Sequence, residues 1–142
     1  MQKKTIEKIY KKYLLVTEKN KDKWNKDFFK RFFSQKNVFF FSKNSSKGYL
    51  IFRKILNEYE IIAISTNIKY LRKGIGSELL YRLFKKAKSN SVKKIFLEVS
   101  NKNLVAIKMY NKFGFYQVGL RKKYYETING FEDALIMVKD IN

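Results

Sequence analysis

The sequence predicts one mixed α/β domain spanning residues 1–142. Three observations carry this. Apolar residues recur at helical spacing in the first third of the chain. Three strand-like runs joined by short turns follow, as in an antiparallel meander. Beyond a glycine loop, helical and strand-like segments alternate.

Ile6, Ile9, Tyr10, Tyr13 and Leu14, with lysines between them, predict an amphipathic helix over residues 5–16. A polar stretch, 17–23, comes next. Trp24, Phe28, Phe29, Phe32 and Phe33 repeat at i, i+4 and i+8 and mark a second helix, whose aromatic stripe reads as core. Runs 38–42 and 49–56 flank the turn-rich Lys43-Asn44-Ser45-Ser46-Lys47-Gly48. Asn57-Glu58 is a candidate tight turn into a third run, 59–65. The loop from Arg72 to Gly76 opens a helix over 77–90, with Leu79, Leu80, Leu83, Phe84 and Ala87 on its apolar face. Residues 94–99 form a short β-branched run and predict a buried strand. Residues 104–113 predict a short helix. Residues 115–125 and 134–138 predict a final strand pair joined by a loop that contains Gly130.

The size is that of one domain, and 45% hydrophobic with 17% aromatic residues can fill a core. His, Cys and Pro are all absent. That excludes a Ser-His-Asp triad, a thiol nucleophile, a zinc finger and a disulfide, and no metal site is expected. Acid–base chemistry falls to Glu, Asp, Tyr, Lys or an α-amine. The net charge is +20, from 32 Lys+Arg and 12 Asp+Glu. Such a balance suits a nucleic-acid binder, but the basic residues are 27 Lys to 5 Arg, alongside 12 Asn and 14 Ile. These residue types have A+T-rich codons, so a biased genome produces this composition whatever the function. The charge is also diffuse, with no basic arm. Nucleic acid is expected as a partner only through that diffuse charge. After Met1-Gln2-Lys3-Lys4 the chain is interrupted by Glu7, Lys8, Lys11 and Lys12, and the run Phe39-Phe40-Phe41 is far too short for a bilayer. A soluble, cytoplasmic monomer without a membrane partner is expected.

Three local features carry chemistry. Arg72-Lys73-Gly74-Ile75-Gly76-Ser77 lies between a strand and a helix. Glycines let the backbone approach a ligand, and a helix N-terminus offers unpaired N–H groups and a positive dipole end. The combination suits a pyrophosphate; an ordinary turn is the other reading. No Gly-Lys-Ser/Thr follows, so it is not a P-loop, and Leu79 holds the third glycine position of the dinucleotide fingerprint. The second feature is Glu98 in Ile95-Phe96-Leu97-Glu98-Val99. It shares a strand face with Phe96 and Ser100, whereas Ile95, Leu97 and Val99 share the other. Desolvating a carboxylate there favours its neutral form, the condition for a general base near neutral pH; a strand-end Glu facing solvent or a lysine is the alternative. The third is Asn103, which can cap a helix bearing Ala106, Tyr110 and Phe113 on one stripe. Tyr110 can equally be a core aromatic with a polar tip. Gly114 closes that helix.

In this order and spacing these residues resemble the GNAT family of N-acetyltransferases, which bind acetyl-CoA. The resemblance runs from about Tyr59 to Ile141. The glycine loop is similar to the family's R/Q-x-x-G-x-G/A motif. The series Leu97-Glu98-Val99, Asn103, Ala106-Ile107, Tyr110 and Gly114-Phe115 resembles the RimI type within it. So do Arg121-Lys122-Lys123-Tyr124-Tyr125 and Glu132-Asp133-Ala134-Leu135-Ile136-Met137. RimI-type enzymes acetylate the N-terminal alanine of a small-subunit ribosomal protein.

The resemblance implies a mostly antiparallel central sheet flanked by helices, with acetyl-CoA as co-substrate. It implies Glu98 as general base for the substrate amine and Tyr110 as general acid for the departing CoA thiolate. Asn103 would contact CoA, and backbone N–H groups of Arg72, Lys73, Gly74, Ile75, Gly76 and Ser77 would cradle its pyrophosphate. The backbone of Ile64, Ser65 and Thr66 would position the acetyl carbonyl on a strand splayed from its neighbour. Tyr124, Tyr125, Glu132 and Asp133 are candidate substrate-binding residues. Residues 126–133 contain Glu126, Glu132 and Asp133 and no Lys or Arg, so they form either an acidic patch for a cationic N-terminus or a plain solvated loop. Leu71 stands where the motif has Gln or Arg, Ser100 where the RimI type has Arg, and the family's first strand is expected to be reduced or absent. The implied activity is acetylation of a ribosomal protein's N-terminal alanine. A small amine, a lysine or another protein N-terminus is an alternative substrate, and a non-catalytic RNA- or ribosome-binding module an alternative function.

Overall fold

The computed structural model describes residues 2–17, 23–44 and 47–142. The order of elements is α1 (Lys3–Thr17), α2 (Lys26–Phe33), β1 (Val38–Lys43), β2 (Gly48–Ile55), β3 (Glu58–Thr66), a 3-10 turn (Ile68–Tyr70), α3 (Ile75–Ser89), β4 (Lys94–Ser100), α4 (Leu104–Lys112), β5 (Tyr116–Thr127) and β6 (Gly130–Asp140). Every expected element is present. No strand precedes α1 among the described residues, so β1 is an edge of the sheet. Residues 18–22 of the expected polar stretch, and 45–46 of the first turn, lie outside the described residues.

The six strands form one sheet in the order β1-β2-β3-β4-β6-β5. All neighbours are antiparallel except β3 and β4, which are parallel. A parallel pair needs a crossover, and α3 supplies it. Successive side chains of β2 enter different cores. Leu50 and Phe52 pack with Leu79, Leu80 and Leu83 of α3; Tyr49 and Ile51 pack with Ile9 and Tyr13 of α1 and with Phe29 and Phe33 of α2. Alternation along a strand places these cores on opposite faces, so the sheet is buried between α1/α2 and α3.

Several boundaries move for local reasons. Trp24 precedes α2 rather than opening it. Asn25 is the N-cap, accepting from the Phe28 N–H at 2.9 Å, and Trp24 packs against the Phe28 ring, 5.0 Å away, pinning the entry to the helix. The β2–β3 turn is one residue earlier than expected: Ile55 pairs with Glu58, leaving Leu56 and Asn57 at the tip, with Leu56 at φ 55°. α3 starts at Ile75, two residues early, because Gly74 takes the left-handed cap conformation (φ 78°). The last hairpin is longer than expected. β5 and β6 pair out to Thr127 and Gly130, where Gly130 has φ 109°. The lysines of β5 lie on an exposed edge strand and obscure its alternation.

The start of β2 fits α3 tightly. A Cβ on Gly48 would stand 2.6 Å from Ile75 Cγ2 and 2.9 Å from the Ser65 carbonyl oxygen. The carbonyl belongs to a sheet and cannot move freely. Gly48→Ala is therefore expected to destabilise the protein by about 1–3 kcal/mol, read as a lower midpoint of urea unfolding. An unchanged midpoint would show that the approach is not a constraint.

Candidate active site

The site begins with a break in strand pairing. β3 and β4 pair only over Glu58–Ile61 and Lys94–Leu97, although β3 continues to Thr66 and β4 to Ser100. The break coincides with a bulge. Ile51 of β2 pairs with Ala63 and Phe52 with Ile61, which leaves Ile62 as the extra residue. A bulge bends its strand and increases local twist, and β3 parts from β4 at that residue.

The gap is a cavity of about 420 Å³. One wall is Ile62, Ala63 and Ile64 of β3. The other is Glu98, Val99 and Ser100 of β4. α4 and its cap contribute Asn103, Val105, Ala106, Met109 and Tyr110, and β5 contributes Tyr125. Beyond Ile61 the edge of β3 facing the gap has no ladder partner on β4, so its polar backbone groups are available to a ligand.

The glycine loop lies next to this cavity. Arg72, Lys73 and Gly74 are exposed. Gly74 caps α3 without a side-chain bond, and the first helical bond runs from Glu78 N–H to the Gly74 carbonyl at 3.0 Å. The N–H groups of Ile75, Gly76 and Ser77 therefore sit in the first turn without helical acceptors. The Ile75 side chain is buried, so it offers only its backbone. Gly76 faces α4: a Cβ there would lie 3.4 Å from Sδ of Met109, a cavity-lining residue. Leu71 is 53% exposed and adds no charge to the loop.

Tyr110 is placed by main-chain bonds. Gly114 at φ 91° lets the Phe115 N–H reach the Tyr110 carbonyl (3.0 Å) and the Gly114 N–H reach Asn111 (3.1 Å). This is a Schellman closure, and its usual apolar contact is the Tyr110–Phe115 ring pair at 5.4 Å. Burial pushes the Tyr110 phenol well above its ordinary titration range, and proximity to Tyr125 adds to the shift. Tyr110 thus holds its proton throughout the physiological range. At the other end of α4, Asn103 is the N-cap, accepting from Ala106 N–H at 3.2 Å, and it lines the cavity as well.

Glu98 lines the cavity but is not isolated in apolar surroundings, as its strand suggested. Its side chain is 20% exposed, and Oε1 lies 3.2 Å from Arg121 Nη2. Tyr125 also lines the cavity. Burial, then the Glu98 carboxylate, pushes its phenol upward. Tyr124 is outside, exposed, and packs edge-on against Tyr125 at 4.9 Å. Ser65 and Thr66 extend past the cavity wall at the end of β3, paired to Tyr49 and Gly48, so of that trio only Ile64 reaches it. Glu132 and Asp133 do not line it either. Glu132 accepts a hydrogen bond from the Ser100 hydroxyl, and Asp133 Oδ1 accepts one from Lys123 N–H at 2.8 Å. The acidic stretch is thus largely tied into the frame. Sequence reasoning missed Ile62, Ala63, Val105, Met109 and Arg121. Only Arg121 had a signal, as a lone arginine in a lysine-rich run.

Among the described residues no group of three His, Cys, Asp or Glu could hold a metal ion, and no helix is long and apolar enough to cross a membrane.

A splayed parallel pair, a helix start with no side-chain cap and an acid–phenol cavity define a GNAT-type fold. Residues 4–115 match the Acetyltransferase (GNAT) family, and the chain belongs to it. One relative is the [ribosomal protein bS18]-alanine N-acetyltransferase of Escherichia coli K12, 34% identical over 95 residues. The match covers 67% of this chain and 64% of that enzyme, just under two thirds of its length. Another is the N-alpha-acetyltransferase RimI of Mycobacterium tuberculosis, 37% identical over 83 residues, covering 58% of this chain and 49% of that one. The crystal structure of the E. coli ribosomal-protein-S18-alanine N-acetyltransferase superposes with a TM-score of 0.83 and 25% identity, over 100% of this chain and 91% of that one. A GNAT acetyltransferase from Elizabethkingia anophelis with acetyl-CoA bound has a TM-score of 0.69 and 22% identity, over 90% of this chain and 87% of that one.

A phenol whose folded value is raised above its unfolded value binds its proton more tightly when folded. The unfolded chain then loses that proton first, near pH 10, and stability falls as pH rises further. Tyr110→Phe is expected to soften that alkaline loss, measured as urea midpoints at pH 8 and above pH 10. An identical decline in both proteins would place the phenol in water.

Proposed function

We propose that the chain is an acetyl-CoA-dependent N-acetyltransferase acting on a protein N-terminal α-amine, most plainly the N-terminal alanine of a small-subunit ribosomal protein. One observation carries the reading: Glu98 and Tyr110 line a single cavity opened where β3 leaves β4, beside the uncapped start of α3. The substrate class rests on the relatives, whose names specify ribosomal-protein alanine.

The donor set suits acetyl-CoA. The first-turn N–H groups of α3 and the Arg72 and Lys73 side chains offer a cradle for a pyrophosphate. The open edge of β3 offers main-chain partners for an extended pantetheine-like arm. Bound there, the thioester supplies an activated acetyl group. An α-amine titrates near pH 8, so a minority is neutral at pH 7 and a modest base suffices. As the C–N bond forms and the C–S bond breaks, Glu98 takes one proton from the amine nitrogen. Tyr110, a protonated phenol at this pH, gives one to the leaving sulfur. The products are an amide and a thiol. Backbone N–H groups on the open edge of β3 would stabilise charge on the carbonyl oxygen.

Incubating the protein with acetyl-CoA and peptides matching small-subunit ribosomal N-termini is expected to add 42 Da to the N-terminal residue of one of them, read by intact mass and fragmentation. Glu98→Gln is expected to lower kcat about a hundredfold, the lower range for a general base, and Tyr110→Phe to lower it at least tenfold. Label on lysine side chains alone would reject N-terminal specificity. CoA binding without transfer would favour a non-catalytic module. Replacing Arg72 and Lys73 together by Ala is expected to raise the KM for acetyl-CoA several-fold and leave kcat unchanged. A fall in kcat alone would remove both from the cradle.

A further inference from the structure

Arg121 and Glu98 are not on adjacent strands. On β6, Ile136 pairs with both Gly119 of β5 and Glu98 of β4, and Ala134 pairs with both Arg121 and Ser100. Residues paired directly across strands point to one face, so Arg121 and Glu98 share a face with β6 between them. Two strand spacings amount to about 10 Å. Arg121 spans that distance and brings Nη2 to 3.2 Å from Glu98 Oε1. The lane it crosses is low. Ala134 presents a single methyl, and the other β6 side chain on this face, Ile136, packs over Gly119, where a Cβ would meet its Cδ1 at 3.2 Å.

The guanidinium is held from a second side. It lies over the Tyr124 ring, 5.0 Å from its centroid, and Tyr124 packs on the cavity residue Tyr125. A bulge sets this arrangement. Arg121 pairs with Ala134 and Tyr125 with Glu132, so residues 122–124 face Asp133 alone. Lys123 turns at φ 54°, with its N–H donating to Asp133 Oδ1. The element fixes one side chain, Arg121, against one carboxylate.

We propose that Arg121 is a positioning residue for Glu98. It binds Oε1 and so leaves Oε2, in a set orientation, as the oxygen that takes the amine proton. The inference rests on the acetyltransfer reading above. An ion pair this exposed, 55% at Arg121, stabilises a fold little. Its effect is on orientation, for which a planar guanidinium is suited and a freely rotating ammonium is not. In a chain with 27 Lys and 5 Arg, the group beside the base is an arginine preceding two lysines.

The test is a double-mutant cycle with purified full-length protein, acetyl-CoA and the peptide that wild type acetylates. Arg121→Gln is expected to lower kcat about tenfold and leave both KM values within about twofold. In a Glu98→Gln background the same change is expected to cost less than twofold, because the group it orients is gone. An equal cost in both backgrounds would show a structural role and overturn the proposal, even if Arg121→Gln lowers the thermal midpoint. A rise in peptide KM with kcat intact would make Arg121 a substrate contact and overturn it as well. Wild-type transfer with Arg121→Gln unchanged overturns this inference alone; no transfer by wild type overturns the acetyltransfer reading with it.

Discussion

The parting of β3 from β4 at Ile62 is the constraint on which the site depends. Over four residue pairs the two strands form an ordinary parallel ladder. One extra residue against β2 then turns β3 aside. The gap exposes ladder groups on β3 that a continuous sheet would satisfy internally, and it brings one face of β4 within reach of α4. Both cores serve this geometry. α3 crosses over to make β3 and β4 parallel, while α1 and α2 cover the far face, so the sheet can open at one point without losing its support.

The chemistry of the site divides between main chain and side chain. The groups left open to a ligand are mostly backbone: the first turn of α3, freed by a glycine cap, and the unpaired edge of β3. The groups suited to proton transfer are side chains set by register. Glu98 is aligned by six neighbouring pairs between β4 and β6, and Tyr110 by the closing turn of α4. A chain without His or Cys can bring a carboxylate and a phenol to one cavity in this way, the carboxylate by strand register and the phenol by the closing turn of a helix.

Local signals were legible in the sequence. Asn103 capping α4, Gly114 ending it, and the alternation that puts Glu98 apart from Leu97 and Val99 all depend on neighbours within a few residues. What could not be read depends on register between distant segments. Nothing in Ile61-Ile62-Ala63-Ile64 marks Ile62 as the bulge, since every residue there is apolar and only pairing with β2 singles one out. The Arg121–Glu98 contact needs the register of two strand pairs at once. The same holds for the acidic stretch: charge alone left an acidic patch and a solvated loop equally open, whereas Glu132 and Asp133 are committed to Ser100 and to the Lys123 backbone. Glu7, Glu60, Glu78 and Asp140 are each paired with a nearby Lys or Arg.

The Schellman closure of α4 has a consequence for how the protein fails. The phenol that faces the cavity belongs to the same residue whose carbonyl accepts the closing bond from Phe115. Fraying of that last turn and displacement of the phenol are therefore one event. Tyr110 and Phe115 are also members of the core that packs on α3, so opening that turn removes core contacts along with the phenol, and the site is as stable as the packing around it.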